Sequence, residues 1–551
     1  MTLSIVVPVY RPDPSHLVEA IDSVRAQTDP DWQLVLAADG PQPAEVDAVL
    51  DALDDPRIVL ERCPTQGGIS AATNAAIARA TGEFVAFLDN DDVLSPRATQ
   101  AIARATGLAD DVDFVYSDED KLDPGGRRVE PFHKPGWSPE RLLGQMYTCH
   151  LSAYRKSLID QVGGLRSEFN GAQDHDLALR ISRLARRVVH IPEVLYHWRQ
   201  SATSTALDPG SKQWAHDAGT RAVQAHLDDA GLPALAVSDA AYPGVTVINP
   251  ALRAHPLVSI IVLTRGTARM IRNESVVLDE HGVRTVLQRS SYPNYEIVVV
   301  LDRDAPPALA AQLEALDPKR IRTVHNTEPF NFADANNFGV DQAEGTHLIF
   351  LNDDTEVKTP GWIERLVFWS SIPDVGVAGC CLEFADGRIQ HAGIVSRASG
   401  PSHRWAGFAA DHPGMFSSLR LTVNMLATTG ACLAILRTRF EEVGGFTKLF
   451  PLNFNDVDLG LKLVSRGYRN VVDNRTRLYH FETSTRPKTV EANEVHLLFE
   501  RWNGLINDDP WDNPNVRGVG VEETPAPPLL TRLREMHGTH YPPRAWPPLS
   551  C

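Results

Sequence analysis

The feature that most constrains the fold of this 551-residue chain is an internal repeat. The run Ser-Ile-Val-Val-Pro at residues 4–8 returns as Ser-Ile-Ile-Val-Leu at residues 259–263, an offset of 255. Three polar landmarks return at a constant offset of 263: Asp39 as Asp302, Asn74 as Asn337, and Asp91 as Asp354. Self-similarity at a fixed spacing indicates one structural unit that is built twice. The larger second offset predicts about eight extra residues between the first two strands of the second copy.

A later set of landmarks follows in the same order at a larger offset. An acidic pair and a histidine are displaced by 282 and 283 positions: Asp174 and Asp176 as Asp456 and Asp458, and His197 as His480. We therefore expect an N-terminal copy over residues 1–245 and a C-terminal copy over residues 255–507, with a proline-punctuated join between them. Residues 508–551 are rich in Pro and Trp, and we expect an irregular tail with an amphipathic stretch at 529–536.

Each copy alternates apolar runs of strand length with stretches of helical periodicity. The N-terminal copy predicts strands at 4–8, 33–38, 58–61 and 84–88, and helices at 15–26, 43–53 and 69–80. This alternation indicates an α/β fold, with a mostly parallel sheet covered by helices on both faces. Ligands bind such sheets beyond the carboxyl ends of the strands, which is where Asp39 and the acidic run 89–92 fall.

Charge and cysteine usage exclude several classes of partner and location. The formal net charge of −17 argues against nucleic acid, because phosphate backbones bind basic surfaces. A nucleotide remains compatible, since a bound divalent cation supplies local positive charge. The six cysteines form no C-x-x-C pair, which favours a reducing cytoplasm. With no basic leader and no run of about 18 apolar residues, we expect at most peripheral contact with the inner face of the cytoplasmic membrane.

An acidic run follows the fourth predicted strand in each copy. It reads Asp-Asn-Asp-Asp at residues 89–92 and Asn-Asp-Asp at residues 352–354. Hard oxygen ligands suit Mg²⁺ or Mn²⁺, and a diphosphate supplies further oxygens. Asp and Asn after a strand also form turns or cap the next helix. Recurrence at an equal offset after an apolar strand favours a metal site.

Taken together, these motifs resemble a family-2 glycosyltransferase of the GT-A fold. The resemblance also rests on Gln-Asp-His-Asp-Leu at 173–177 and Asn-Asp-Val-Asp-Leu at 455–459, and it covers most of residues 1–500. The endings Tyr-His-Trp-Arg at 196–199 and Tyr-His-Phe-Glu at 479–482 are similar to those of bacterial O-antigen and capsule enzymes. The resemblance implies two tandem GT-A domains, each with helices on both faces of a Rossmann-like sheet.

The resemblance further implies donor-binding and metal-binding residues. The residues expected to contact the nucleotide sugar are Asp39, Asn74 and Asp89 in the first copy, and Asp302, Asn337, Asn352 and Asp353 in the second. The residues expected to bind Mn²⁺ or Mg²⁺ are Asp91 and His197, and Asp354 and His480. Asn352 stands where the first copy has Asp89, so the second site has one carboxylate fewer.

Asp174 and Asp456 match the position of the family's general base. An inverting transfer needs a carboxylate to take the proton of the attacking hydroxyl, while a metal stabilises the leaving diphosphate. The alternative is that each residue only caps the start of a helix. The late histidines also have a purely structural alternative. Arg199 and Arg486 lie near them in sequence and are candidates for neutralising phosphate charge.

The leading hypothesis is therefore a bifunctional, metal-dependent, inverting glycosyltransferase that acts on a growing bacterial surface glycan. Its donors would be a UDP-hexose or dTDP-rhamnose, and its acceptor a glycan or lipid-linked oligosaccharide. The alternative keeps one active copy and treats the other, more readily the C-terminal one, as a degenerate scaffold or glycan-binding module. A third alternative, a Rossmann oxidoreductase or nucleotide sensor, is disfavoured because no G-x-G-x-x-G follows either first strand.

Overall fold

The computed structural model describes residues 3–200, 213–271, 274–397, 400–481, 492–517 and 524–525. The N-terminal copy is built on a nine-stranded sheet. Its strands are Leu3–Val9 (β1), Trp32–Ala38 (β2), Ile58–Arg62 (β3), Phe84–Phe87 (β4), Val93–Leu94 (β5), Val112–Leu122 (β6), Arg128–Phe132 (β7), Ser152–Arg155 (β8) and Arg187–Arg199 (β9). Its helices are Pro14–Arg25 (α1), Ala44–Asp51 (α2), Ile69–Arg79 (α3), Ala98–Thr106 (α4), Pro139–Gly144 (α5), Lys156–Gln161 (α6) and Gln173–Ser182 (α7).

Helix Gln213–Asp229 (α8) packs on α7 and leads into a hairpin of Ala234–Ser238 (β10) and Thr246–Pro250 (β11). The C-terminal copy follows with strands Val258–Thr264 (β12), Ala268–Ile271 (β13), Glu274–Val277 (β14), Tyr295–Leu301 (β15), Ile321–His325 (β16), His347–Asn352 (β17), Thr355–Val357 (β18), Val375–Glu383 (β19), Ile389–His391 (β20), Ile394–Arg397 (β21), Gly400–His403 (β22), Thr422–Met425 (β23), Cys432–Leu436 (β24) and Arg469–His480 (β25). Its helices are Leu278–Arg289 (α9), Leu309–Glu314 (α10), Phe332–Gln342 (α11), Trp362–Ser371 (α12), Arg437–Glu442 (α13) and Asn455–Ser465 (α14). Helix Ala492–Asn507 (α15) and the short strands Val516–Arg517 (β26) and Thr524–Pro525 (β27) complete the described chain.

The two large sheets have the same strand order. The first runs β3-β2-β1-β4-β8-β6-β9-β5, and the second runs β16-β15-β12-β17-β24-β19-β25-β18. Even the register repeats, because Ile5 lies opposite Ala86 and the equivalent Ile260 lies opposite Ile349. The predicted α/β fold with two mostly parallel sheets is confirmed, and each sheet also contains an antiparallel strand, β8 or β24, near its middle.

Local sequence explains the parallel half of each sheet. Strands β1 and β12 are almost entirely buried, as expected for strands covered on both faces, and they read as continuous apolar runs rather than alternating ones. The predicted expansion between the first two strands of the second copy corresponds to the hairpin β13–β14. Within the described residues, no helix is both long and apolar enough to cross a membrane.

The copies pack against each other through α5 and the hairpin β10–β11. Glu140 of α5 is almost fully buried, accepts a hydrogen bond from Asn424 at 2.7 Å and pairs with Arg469 of β25 at 2.9 Å. Arg365 of α12 donates to the carbonyl oxygen of Ile248 at 3.0 Å. The proline-punctuated join expected between residues 245 and 255 contains a paired strand at 246–250. Residues 526–551, with the expected helix at 529–536, lie outside the described residues.

Candidate active sites

Both copies gather their polar motifs at one edge of the sheet. Asp39 follows β2 and the acidic run 89–92 follows β4, while Asp302 follows β15 and Asn352 ends β17. Because β1, β2 and β4 are parallel neighbours, as are β12, β15 and β17, the carboxyl ends of these strands meet. The structure therefore brings together residues that the sequence separates by about fifty positions.

Asp39 fixes the loop that precedes α3. Its side chain is almost fully buried, and its two carboxylate oxygens accept backbone hydrogen bonds from Gly67 at 2.6 Å and Gly68 at 3.0 Å. Gly68 has φ +85°, a conformation that favours glycine. Asp302 differs, since it accepts from the backbone of Asp304 at 3.0 Å and lies 4.0 Å from the Arg265 guanidinium. The nucleobase-contact hypothesis stays a prediction for both residues.

The acidic run of the first copy contains one buried carboxyl group. Asp92 accepts hydrogen bonds from the Tyr196 hydroxyl at 2.5 Å and from the backbone of Arg199 at 2.7 Å. Burial, and then the charges of Asp89 and Asp91, raise the pKa of Asp92 well above its usual range. The Asp89 backbone amide donates to the same Tyr196 hydroxyl at 3.2 Å, so one tyrosine holds both ends of the run.

A group able to hold a cation lies at this point. Asp89, Asp92 and His150 each offer a ligand atom, and these atoms lie within 4.8 Å of one another. Two carboxylates and an imidazole are a donor set suited to Mn²⁺. The His150 ring stacks on Tyr196, with ring centroids 4.6 Å apart, which orients it toward the run. Asp91, the expected ligand, is half-buried, and its carbonyl oxygen accepts from Arg199 Nε at 2.7 Å.

The late histidines occupy different surroundings in the two copies. His197 is buried, and its Nδ1 lies 2.6 Å from Asp120 of β6. His480 instead has its Nε2 3.1 Å from Asp354 and 3.3 Å from the Asn352 amide nitrogen. The structure thus brings the expected metal pair together in the second copy, with Asn352 beside it. Arg199 is ion-paired with Glu19, and Arg486 lies outside the described residues.

The two candidate bases lie at equivalent places at the start of a helix. Asp174 is the second residue of α7, and Asp456 is the second residue of α14; both are half-buried. The Asp456 oxygens accept backbone hydrogen bonds from Gly430 and Val457, each at 2.8 Å. A carboxylate has about four acceptor positions, so Asp456 retains capacity for a substrate hydroxyl.

Asn74 and Asn337 form the same clamp in both copies. The Asn74 amide donates to the Leu165 carbonyl at 2.8 Å and accepts from the Leu165 amide at 2.9 Å. Asn337 makes the equivalent pair with Phe446 at 2.9 and 3.0 Å. A Cβ on Gly164 would lie 2.5 Å from the Asn74 amide oxygen, which explains the glycine there. Both side-chain amides are therefore engaged with backbone, and their expected contact with nucleotide stays a prediction.

The Asp353 carboxylate accepts a hydrogen bond from the hydroxyl of Thr264, the last residue of β12, at 2.8 Å.

Several polar residues at the sites were not singled out as ligands or as partners of the histidines: Asp92, Asp120, His150, Tyr196 and Gln390. The Gln390 side-chain oxygen accepts a hydrogen bond from His480 Nδ1 at 2.7 Å. For Asp120, the sequence feature that could have indicated a role is the acidic triplet at 118–120, which lies inside the buried strand β6. For His150 no local pattern pointed to the acidic run.

Comparison with known proteins gives the chain its family. The model described as glycosyl transferase family 2 matches residues 4–163 and 272–443, more than half of the chain. The uncharacterized protein y4gI of Sinorhizobium fredii is 37% identical over 531 residues, 93% of this chain and 57% of that protein. The O-antigen biosynthesis protein RfbC of Myxococcus xanthus is 34% identical over 525 residues, 93% of this chain and 40% of that protein. This chain therefore spans about half the length of these relatives.

Among solved structures, S. aureus TarS 1-349 in complex with UDP-GlcNAc aligns with 41% of this chain and 66% of that chain. The alignment has 18% sequence identity and a TM-score of 0.35. The sequence match in both copies establishes the family on its own. The chain belongs to glycosyl transferase family 2.

Proposed function

We propose that both copies transfer a sugar from a nucleotide-sugar donor, in a metal-dependent and inverting reaction. The observation that carries this proposal is the repeated edge of the sheet, where an acidic run, a helix-borne aspartate and a late histidine follow equivalent strands in both copies. In the second copy the helix-borne carboxylate lies close to the acidic run, because Asp456 accepts from the backbone of Gly430 and the next residue, Ala431, accepts from the backbone of Asn352.

The chemistry divides among residues of this chain. Asp174 and Asp456 take the proton of the acceptor hydroxyl as it attacks the anomeric carbon, a contribution of about 10²–10⁴ in rate. Asp91 and His197, or Asp354 and His480, hold the cation, with Asp89, Asp92 and His150 as further donors in the first copy. The cation, Mn²⁺ or Mg²⁺, supplies positive charge that stabilises the leaving diphosphate.

The donor side is formed by the ends of the second and fourth strands. Asp39 and Asp302 lie beside the nucleobase, and Asp89 or Asn352 beside the ribose. We propose a UDP-hexose or dTDP-rhamnose as donor, with Asp353 on the same side of the second site. Asn74 and Asn337 act here by holding the loop at Leu165 or Phe446 in place.

We propose a growing bacterial surface glycan, free or lipid-linked, as the acceptor. The support is RfbC, named as an O-antigen biosynthesis protein, which aligns with 93% of this chain. This chain spans 40% of that relative, so the remainder of RfbC has no counterpart in the alignment. In this proposal the two copies add sugars to one product, at sites held in fixed relation by the contacts between Glu140 and Arg469.

A second candidate function has one active copy, the N-terminal one, beside a scaffold or glycan-binding copy. One observation favours it: in the part of the chain that the structure describes, the group able to hold a cation belongs to the first copy. In the second copy Asn352 replaces a carboxylate, and its amide nitrogen faces His480. An amide in place of a carboxylate is expected at a site that binds a donor but stabilises the leaving diphosphate poorly.

The test is a donor screen on the purified full chain, read by release of nucleotide in the presence of Mn²⁺ or Mg²⁺. The panel contains UDP-hexoses and dTDP-rhamnose, and the variants are Asp91→Ala and Asp354→Ala, with Asp22→Ala on the exposed face of α1 as control. If both copies are active, each site variant should abolish a different part of the nucleotide release. If Asp354→Ala leaves all release and every linkage unchanged, the second candidate holds. If both variants match the control, the proposal fails.

A further inference from the structure

The chain that follows α15 leaves the second copy and packs on the first. Residues 509–512 are anchored to the second copy: the Asp509 carboxylate accepts from the Ser396 backbone at 3.1 Å, Asp512 lies 3.8 Å from Arg404, and Trp511 is buried in an apolar cluster with α14 and α15. The next residues cross to the N-terminal copy. The approach is close, since a Cβ on Gly136 would overlap the Pro510 carbonyl oxygen.

Asn513 is the residue that this segment inserts into the first copy. It is 3% exposed, and its Nδ2 donates to both oxygens of Asp118, at 3.1 and 2.9 Å, and to the Lys134 carbonyl at 2.8 Å. Asp118 is fully buried on β6 and also contacts His190 at 2.7 Å and His133 at 3.1 Å. A residue of the second copy thus satisfies a buried charge of the first.

The exchange is reciprocal. The hairpin β10–β11, which follows the first copy, packs on the second, where the Asp239 carboxylate binds the Arg475 guanidinium and Ile248 accepts from Arg365. On the first copy the trailing segment also contacts β9, since Asn515 donates to the Pro192 carbonyl oxygen at 2.6 Å. Each copy is therefore completed by the trailing segment of the other.

The Asn513 contact continues to the candidate site. Lys134, whose carbonyl accepts from Asn513, is fully buried, and its Nζ lies 3.0 Å from Glu119. The same Nζ donates to the carbonyl oxygens of Thr148 and His150. Glu119 in turn accepts from the His150 backbone amide at 3.0 Å. His150 is one of the three residues grouped at the acidic run, so its backbone is held from both sides by groups next to Asn513.

We propose that Asn513 is a positioning residue for the N-terminal site, and that this site is complete only when the second copy delivers it. The catalytic role of this site rests on the proposed function, whereas the exchange of segments between the copies does not. Asn513 donates hydrogen bonds to the buried Asp118 carboxylate and to the Lys134 carbonyl oxygen. Lys134 and Glu119 in turn hold the backbone of His150. The second copy can in this way control the first without touching its substrates.

The test compares Asn513→Ala and Asn513→Asp in the full chain with Asn507→Ala, an exposed asparagine on α15, as control. Asp has the shape of Asn but loses the Nδ2 donor and adds a charge beside Asp118. Hydrogen exchange followed by mass spectrometry needs no ligand. We expect both variants to speed exchange at residues 132–135 and 148–151 by at least about tenfold, with Asp the larger effect, while residues 33–62 and 429–433 keep their wild-type rates.

A kinetic experiment uses the nucleotide sugar found in the donor screen. The Asn513 variants are combined with Asp456→Asn, which leaves only the first site active. We expect kcat to fall at least about tenfold, with a small change in KM. Wild-type exchange at 148–151 in Asn513→Asp would overturn the proposal. Equal acceleration across the whole first copy, including residues 33–62, would also overturn it, because Asn513 would then serve folding alone. If the screen finds no donor, the proposed function fails and the exchange arm still decides this inference.

Discussion

Removing the carboxylate of Glu140 should destabilise the whole chain, because this group is the partner of the largely buried Arg469 guanidinium between the two copies. Arg469 donates to Glu140 through Nη2 at 2.9 Å and Nε at 3.2 Å, and Asn424 donates at 2.7 Å. Burial lowers the pKa of Arg469, but the Glu140 charge outweighs it and the pKa is raised. Glu140→Ala leaves a charge that is buried and poorly compensated, which costs about 3–5 kcal/mol.

A double-mutant cycle separates the pair from its surroundings. Glu140→Gln and Arg469→Met should each be costly, while the double variant should recover most of the loss, because replacing both partners removes the uncompensated charge. The exposed pair Arg62–Asp51 provides the control: Arg62→Met should change stability by less than about 1 kcal/mol.

The assay is urea unfolding followed by tryptophan fluorescence, with hydrogen exchange at α5 and β25 as the local readout. In the wild type the two copies should unfold together, and in Glu140→Ala the midpoint should fall and the transition should split. A loss below about 1 kcal/mol for Glu140→Ala, equal to that of the surface control, would refute the reasoning that this pair joins the copies.

Three further predictions concern buried polar groups. Asn74→Ala and Asn337→Ala should each cost about 1–3 kcal/mol in unfolding free energy, because one loop loses its backbone partner; unchanged stability with lost nucleotide affinity would instead assign them to the donor. Although burial alone raises it, the contacts with His190, His133 and Asn513 lower the pKa of Asp118 to about 2, so a contribution to stability on the order of 2 kcal/mol should be present above pH 4 and lost as the pH falls through 2; acid unfolding of Asp118→Asn should lack this slope. Burial, and the adjacent Cys432 thiol, raise the pKa of the buried Cys380, so Cys380 should not react with iodoacetamide before unfolding; prompt labelling of Cys380 itself in the native protein, located by peptide mass spectrometry, would contradict this.

Much of the parallel half of each sheet was predictable, for a physical reason. A strand buried on both faces must be apolar throughout, so the runs at 4–8 and 33–38 were recognised within one residue of β1 and β2 at each end. The duplication followed from the constant offsets, and the family from the resemblance of the repeated motifs. The antiparallel strand β8 had no such local pattern, because its place between β4 and β6 is decided by pairing across the sheet.

The site was predictable only where its parts follow strands directly. Asp39 and the acidic run 89–92 were singled out because they follow strands, and Asp174 because the run at 173–177 resembles a family motif; their roles stay predictions. His150 was not assigned to the acidic run, because it is about sixty positions away and reaches it only through the fold. Asn513 was missed for the same reason, since 395 positions separate it from Asp118 and nothing in the tail's composition marks one asparagine.

The inserted Asn513 also sets an order of events during synthesis. Asp118 leaves the ribosome 395 residues before the asparagine that satisfies it, an interval of about 20–80 s at usual elongation rates. Through that interval the first copy has its sheet but not its final polar contact, and its surface near Gly136 is open to other chains. The domain that is made first is therefore the last to be finished, and premature termination within α15 would release a chain that lacks both Asn513 and the buried Trp511.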